Sequence, residues 1–186
     1  TIDFGAVSYQ RQGIDADIRN LVRELNAGSV DVLIVMGTNP AFDLPNADQF
    51  VAGMAKVATK ISFNATMDEV TSLCDYATPS NHFLEAWGDA EAKRGKYSLI
   101  QPTIARLFKT RQGEESLLRW SKSETLNTEA EMPYFEYVKT TWEKEIFSQQ
   151  SRFLSFQSFW DNCLHDGVFE IKMEPVVPSF IGDINA

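Results

Sequence analysis

Gly37-Thr38-Asn39-Pro40 directly follows the apolar run at 32–36. A glycine at the end of a strand lets backbone approach a ligand closely, and Asn39 offers both a donor and an acceptor beside it. The same four residues also make an ordinary tight turn. They lack the G-x-G-x-x-G spacing of a dinucleotide fingerprint and the lysine of a P-loop. His82 and Glu85 stand three apart after Pro79. On a helix they would share a face, as some metal ligands do; otherwise the imidazole is satisfied by a neighbouring carboxylate or by backbone. Two cysteines and two histidines match the count of a zinc site. The intervals Cys74–His82 and Cys163–His165 do not match its spacing. Cys163 and His165 could pair as nucleophile and base, but on a Phe- and Trp-rich segment a buried, inert thiol is the simpler reading. Phe153, Phe156, Phe159 and Trp160 form an aromatic stripe at helical spacing, which points to core or subunit interface. Asp89 and Glu91 read as solvated charge, and Glu114 and Glu115 as charge at a helix N-terminus. There is no G-x-S-x-G elbow. These residues by themselves assign no catalytic group and no metal ligand set.

The elements that must position them follow from periodicity. Ile18, Leu21, Val22 and Leu25 predict a helix over 15–27, stopped by Gly28. Residues 32–36 predict a strand buried on both faces. Residues 37–45 read as loop, 46–57 as a helix entered at Asn46, 60–65 as a second strand, 68–73 as a short helix and 76–78 as a short strand closed by Pro79. This order predicts a parallel sheet covered by helices, with a crevice at the carboxyl ends of its strands and the 37–45 loop at that end. Further on, a strand fits 97–100, helices fit 113–121, 134–147 and 156–165, and an edge strand fits 168–172. The tail with Pro175 and Pro178 is expected to be extended. The expected organisation is an α/β domain over 1–122, an exposed acidic, Thr-rich loop over 123–133, and a helical and edge-strand extension of the same domain over 134–186.

The 186 residues suit one domain, or one plus an appendage. Seventeen Lys and Arg against 26 Asp and Glu leave a net charge of −9, which disfavours a nucleic-acid partner. With 44% hydrophobic residues the chain can bury a core without staples. Two cysteines make neither a disulfide framework nor the four thiolates of an ordinary iron–sulfur cluster. No apolar stretch approaches the ~20 residues of a membrane span. The chain begins with Thr1 and shows no signal-peptide pattern, so it is expected to be a processed product or a piece of something longer.

Five landmarks in order carry a resemblance over roughly 14–121. Segment 30–45, VDVLIVMGTNPAFDLP, resembles the strand and G-x-N-P loop of the molybdopterin oxidoreductase family. A second strand follows, then MDEVT at 67–71, CDYATP at 74–79, EAWG at 85–88 and RGK at 94–96, similar to that family's successive segments. Within the family, HFLEAWGDA at 82–90, SLIQPTIA at 98–105, and FW at 159–160 with LHDG at 164–167 resemble the large iron–sulfur subunit of bacterial alternative complex III.

The resemblance implies a Rossmann-like parallel sheet with helices on both faces, plus a helical C-terminal part. It assigns the cofactor positions to Gly37, Asn39, Pro40, Asn64, Glu85 and Gly88. Three departures imply that the cofactor has been lost. Asn64 stands where catalytic relatives hold a guanine with Asp, Asp89 follows Gly88 where they carry Thr, and Ala92 stands where they carry Asn. A carboxylate at Asp89 would repel a pyrophosphate unless a cation intervened. The implied role is a non-catalytic scaffold domain of a quinol-oxidising electron-transfer subunit. Iron–sulfur clusters would lie elsewhere in the parent. Its partners would be the other subunits of a membrane-bound respiratory complex on the periplasmic side of the bacterial inner membrane. Two rivals stand beside it: a molybdopterin guanine dinucleotide-binding domain of an active molybdenum oxidoreductase, and a stand-alone α/β ligand-binding or hydrolase-like protein.

Overall fold

The apolar spacing of the first helix is realised as α1 (Asp15–Ala27), with Leu25 wholly buried and Gly28 closing it in the left-handed region. The computed structural model describes residues 5, 7–10, 12–124, 126–174 and 179. The expected extended tail at Pro175 and Pro178 lies outside them. The chain divides into two compact units, one of 13–86 with 102–134, the other of 1–12, 87–101 and 135–186.

In the first unit α1 leads to β1 (Val32–Val35), α2 (Pro40–Asp43), α3 (Ala47–Met54), β2 (Thr59–Ser62), α4 (Glu69–Ser72) and β3 (Tyr76–Ala77). The three strands form one parallel sheet in the order β1-β2-β3, with Ile34 opposite Ile61 and Ile61 opposite Tyr76. Parallel neighbours require helical crossovers, which α3 and α4 supply. Leu33 and Val35 point into a core with Leu25, Phe50, Met54, Val57 and Val70. Gly53 allows α3 to approach α1, since a Cβ there would lie 2.7 Å from Leu25 Cβ. The Asn26 amide donates to the Gln49 carbonyl across the same seam.

Two expectations are corrected here. β1 is buried on one face only: Val32, Ile34 and Met36 are exposed. Leu33 and Val35 face the core, and β1 is an edge strand. The 37–45 segment is also not loop throughout, because Pro40 starts the short helix α2; proline is preorganised for a first helical position.

A 3₁₀ turn at Phe83–Glu85 and α5 (Gly113–Ser121) complete the first unit. Helix α5 begins against the carboxyl ends of β1 and β2. A Cβ on Gly113 would lie 3.2 Å from Met36 Sδ and 3.4 Å from Phe63. The Gly113 N–H donates to Ser80 Oγ at 3.0 Å, and Trp120 stacks on Phe63 with ring centres 5.7 Å apart.

In the second unit β4 (Gly88–Lys93), β5 (Lys96–Ile100) and β6 (Val168–Glu170) form an antiparallel sheet in that order. Gly95 turns the hairpin with φ +76°, and a Cβ there would strike the Ile171 carbonyl at 2.7 Å. Helix α6 (Pro133–Thr141) ends earlier than the 134–147 expectation and passes into a wider π turn at Trp142–Ile146. An α-helix drifts around its axis over each four-residue step. The π turn reverses that drift, so Val138, Trp142 and Ile146 are all buried. Helix α7 (Phe156–Asp166) buries Phe159 and Trp160 and leaves Phe147, Phe153 and Phe156 half-buried around them. The aromatic stripe is core: Phe159 meets Phe169 edge-on at 4.9 Å and Trp142 at 6.2 Å.

Candidate functional site

Asn64 follows β2 and is buried beside the loop after β1. Gly37 adopts φ +64°, which aims its N–H at the Asn64 amide oxygen, 2.8 Å away. The Asn64 amide nitrogen donates to the Thr38 carbonyl at 2.8 Å and to Asp68 Oδ2 at 2.9 Å. Asp68 Oδ1 accepts from the Thr71 N–H and thereby caps α4. Hydrogen bonding from Thr71, assisted by Asn64, outweighs burial and holds the Asp68 carboxyl below the usual carboxylate range.

Asn39 is committed in the same way. Its amide nitrogen donates to Glu69 Oε2 at 2.6 Å, its amide oxygen accepts from the Val70 N–H at 3.2 Å, and its own N–H reaches Asp43 Oδ2 at 3.3 Å. Its carbonyl receives the Phe42 and Asp43 N–H groups and so starts α2, with Pro40 buried behind it. Ser62 and Thr71 share a buried hydroxyl bond of 2.7 Å that ties β2 to α4.

Glu85 is buried, and its carboxylate accepts from the His82 N–H at 3.1 Å and the Leu107 N–H at 2.9 Å. His82 Nδ1 accepts from the Leu84 N–H in return. The His82–Glu85 pair is thus a reciprocal cap on the 3₁₀ turn. Gly88 belongs to the other unit, at the start of β4, where a Cβ would touch Ile100 at 3.4 Å. Beside it Asp89 accepts from the buried Trp142 indole N–H at 2.8 Å, so the departure at Asp89 supplies the partner a buried tryptophan needs.

The structure therefore joins Gly37, Asn39, Pro40 and Asn64 into one knot at the carboxyl ends of β1 and β2. Arranged this way, these residues do not fit a dinucleotide. The donors of the knot are taken within the chain: the Gly37 N–H by Asn64 Oδ1, the Asn64 amide by the Thr38 carbonyl and Asp68, the Asn39 amide by Glu69 and the Asn39 N–H by Asp43. The strand-end crevice where open parallel sheets take ligands carries the first turn of α5. Neither Asp68's bridging role nor the placement of α5 follows from a motif. The only signals for them were an Asp three residues before Thr71 and a glycine opening a helix.

The other candidates disperse. Cys163 is fully buried, and burial, then the nearby Asp166, pushes its thiol up to about 11. His165 lies on the surface against Asp166 at 2.8 Å, and no bond joins the pair as nucleophile and base. Burial, then Asp75, also raises the Cys74 thiol. Among the described residues no three His, Cys, Asp or Glu side chains converge on a point where a metal could sit, and no helix is long and apolar enough to cross a membrane. Glu115, read as N-terminal helix charge, is buried and shared by Arg106 at 3.2 Å, Arg119 at 3.1 Å and Arg111 at 3.9 Å.

No family model matches the chain. It is similar to the menaquinone reductase, molybdopterin-binding-like subunit of Nitratidesulfovibrio vulgaris, 32% identical over 90 residues. That stretch is 46% of this chain and 13% of the relative, so the match spans a small part of a much longer protein. It supports a relationship to molybdopterin oxidoreductase-like proteins.

Proposed function

We propose that this chain is a non-catalytic scaffold domain of a quinol-oxidising electron-transfer subunit of the molybdopterin oxidoreductase-like kind, with the pterin lost. The observation that carries the reading is the closed knot. Of the loop donors, the Gly37 N–H already meets the Asn64 amide oxygen, and the Asn39 N–H and amide already meet Asp43 and Glu69, while α5 begins against Met36 and Phe63 at the strand ends. The relative's name, a molybdopterin-binding-like subunit of a menaquinone reductase, supports the quinone context. Within that context the segments at 82–90 and 98–105 favour the large subunit of alternative complex III. The domain would then serve other subunits of a membrane-bound complex on the periplasmic side, with iron–sulfur clusters carried elsewhere in the parent.

The second reading, a molybdopterin guanine dinucleotide-binding domain of an active enzyme, keeps support from the G-x-N-P loop itself. Calorimetric titration of the chain with guanosine diphosphate separates the two. The scaffold reading expects no heat of binding up to millimolar ligand. Saturable binding that disappears in an Asn39→Ala variant would favour the dinucleotide reading.

A further inference from the structure

Residues 104–111 read Ile-Ala-Arg-Leu-Phe-Lys-Thr-Arg, three cations and no acid in a chain of net charge −9. They lie in a segment without helix or strand, and their large apolar side chains face outward. Leu107 is 70% exposed, Phe108 76% and Ile104 41%. The 3₁₀ turn beside them adds Phe83 at 63% and Leu84 at 36%. The two pieces are fastened together: Thr103 and Ile104 N–H both donate to the Leu84 carbonyl, at 2.8 and 3.1 Å, and the buried Glu85 carboxylate receives the Leu107 N–H. Contiguous exposed apolar surface marks an interaction site.

We propose that this patch seats the chain on an anionic lipid bilayer, with Phe83, Leu107 and Phe108 entering the interface and Arg106 and Lys109 facing headgroup phosphates. Two features favour a lipid surface over a protein partner. The core of a protein interface is depleted in lysine and in charge generally. Here Arg106 and Lys109 flank Leu107 and Phe108 in one loop, so basic and apolar side chains stand together as they do on interfacial segments. Of the three cations, Arg106 and Arg111 share Glu115 while Lys109 adds its charge beside Phe108, which suits anionic headgroups. Each cation near an anionic surface strengthens partitioning about fivefold. Arg106 shares Glu115, so the combined electrostatic gain falls between about fivefold and twenty-fivefold. The inference does not depend on the cofactor having been lost.

Co-sedimentation of the full chain with phosphatidylcholine vesicles, with and without 30% phosphatidylglycerol, tests it. The expected result is binding to the anionic vesicles, about tenfold weaker binding to the neutral ones, and weakening by salt. The Leu107→Asp, Phe108→Asp double variant should lose at least tenfold; both side chains are exposed, so neither replacement disturbs packing. Leu154→Asp, at a fully exposed leucine of the other unit, should bind as the parent chain does. Absence of binding to anionic vesicles, equal binding to both compositions, or equal loss in the Leu154→Asp variant would overturn the proposal. Lipid-free self-association abolished by the double variant, with vesicles left bare, would overturn it in favour of a second copy of the chain.

Discussion

Replacing Asn64 by Asp would install the residue found at this point in catalytic members of the family that the sequence resembles, and the structure forecasts a penalty for it. The new carboxylate could still accept from the Gly37 N–H. It could not donate to the Thr38 carbonyl or to Asp68 Oδ2, now at 2.8 and 2.9 Å. Thr38 is exposed, so its carbonyl can turn to water and the lost part-buried bond costs about 0.5–1.5 kcal/mol. Two carboxylates at the Asp68 distance repel by about 6 kcal/mol at an effective permittivity of ~20, so the folded pair retains one proton instead. One carboxyl of the pair then has a folded pKa raised above its unfolded value of about 3.9. The folded state holds a proton that the unfolded chain lacks, so stability rises as pH falls from the raised value toward about 4. The expected loss is about 2–4 kcal/mol at pH 7, partly recovered at pH 5. Asn64→Ala loses these hydrogen bonds and the one from the Gly37 N–H as well, without adding charge, and should show no such recovery. Urea unfolding at both pH values measures this, and hydrogen exchange of the Gly37 amide reads the knot directly. An Asn64→Asp variant within about 0.5 kcal/mol of the parent at pH 7, or one that gains nothing on acidification, would refute the reasoning.

Gly53→Ala should destabilise the first unit by about 1–3 kcal/mol, read as a lower urea midpoint, because the new Cβ meets Leu25 Cβ at 2.7 Å and Asn26 at 2.9 Å. Asp68 contributes stability that is present above its unfolded pKa and lost as pH falls through its lowered folded value. Asp68→Asn should therefore melt lower at pH 7 and lose less on acidification than the parent; parallel melting curves against pH would count against this. Iodoacetamide at pH 8 should label Cys74 and spare Cys163, whose thiol stays protonated up to about 11, until denaturant is added; peptide mass spectrometry locates the adduct. Trp142→Phe removes the donor to Asp89 and should lower stability by about 1–2 kcal/mol in the same urea assay, since it also trims a fully buried ring.

The parallel half was readable because its signals are local. α1 and α5 follow from apolar spacing and their flanking residues, and β1 from a β-branched run ended by Gly37; the second strand, read at 60–65, runs Thr59–Ser62. β4 gave no such signal. Gly88, Asp89, Ala90, Glu91, Ala92 and Lys93 are poor strand formers; pairing with β5 on one side, the Ser8 bridge to Lys93 and the Tyr9 N–H bond to the Ala92 carbonyl on the other, and the Trp142 bond to Asp89 hold them as a strand. The π turn was hidden for a related reason, since its benefit is the alignment of Trp142 and Ile146 on a core that sequence spacing does not reveal. At the candidate site, G-T-N-P was visible as a motif. Its closure depends on Asn64, Asp68 and Glu69, residues ~27–31 positions away that only the parallel pairing of β1 with β2 brings alongside.

Pterin and molybdenum content test most directly whether the G-T-N-P loop, with its donors bonded to Asn64, Asp43 and Glu69, is closed to a pterin dinucleotide. The protein would be produced in a host that makes the molybdenum cofactor, then oxidised to its fluorescent pterin derivative and analysed for metal. The account predicts neither pterin nor molybdenum above the level of a Gly37→Val control. Stoichiometric pterin in the parent chain, lost in that control, would contradict it.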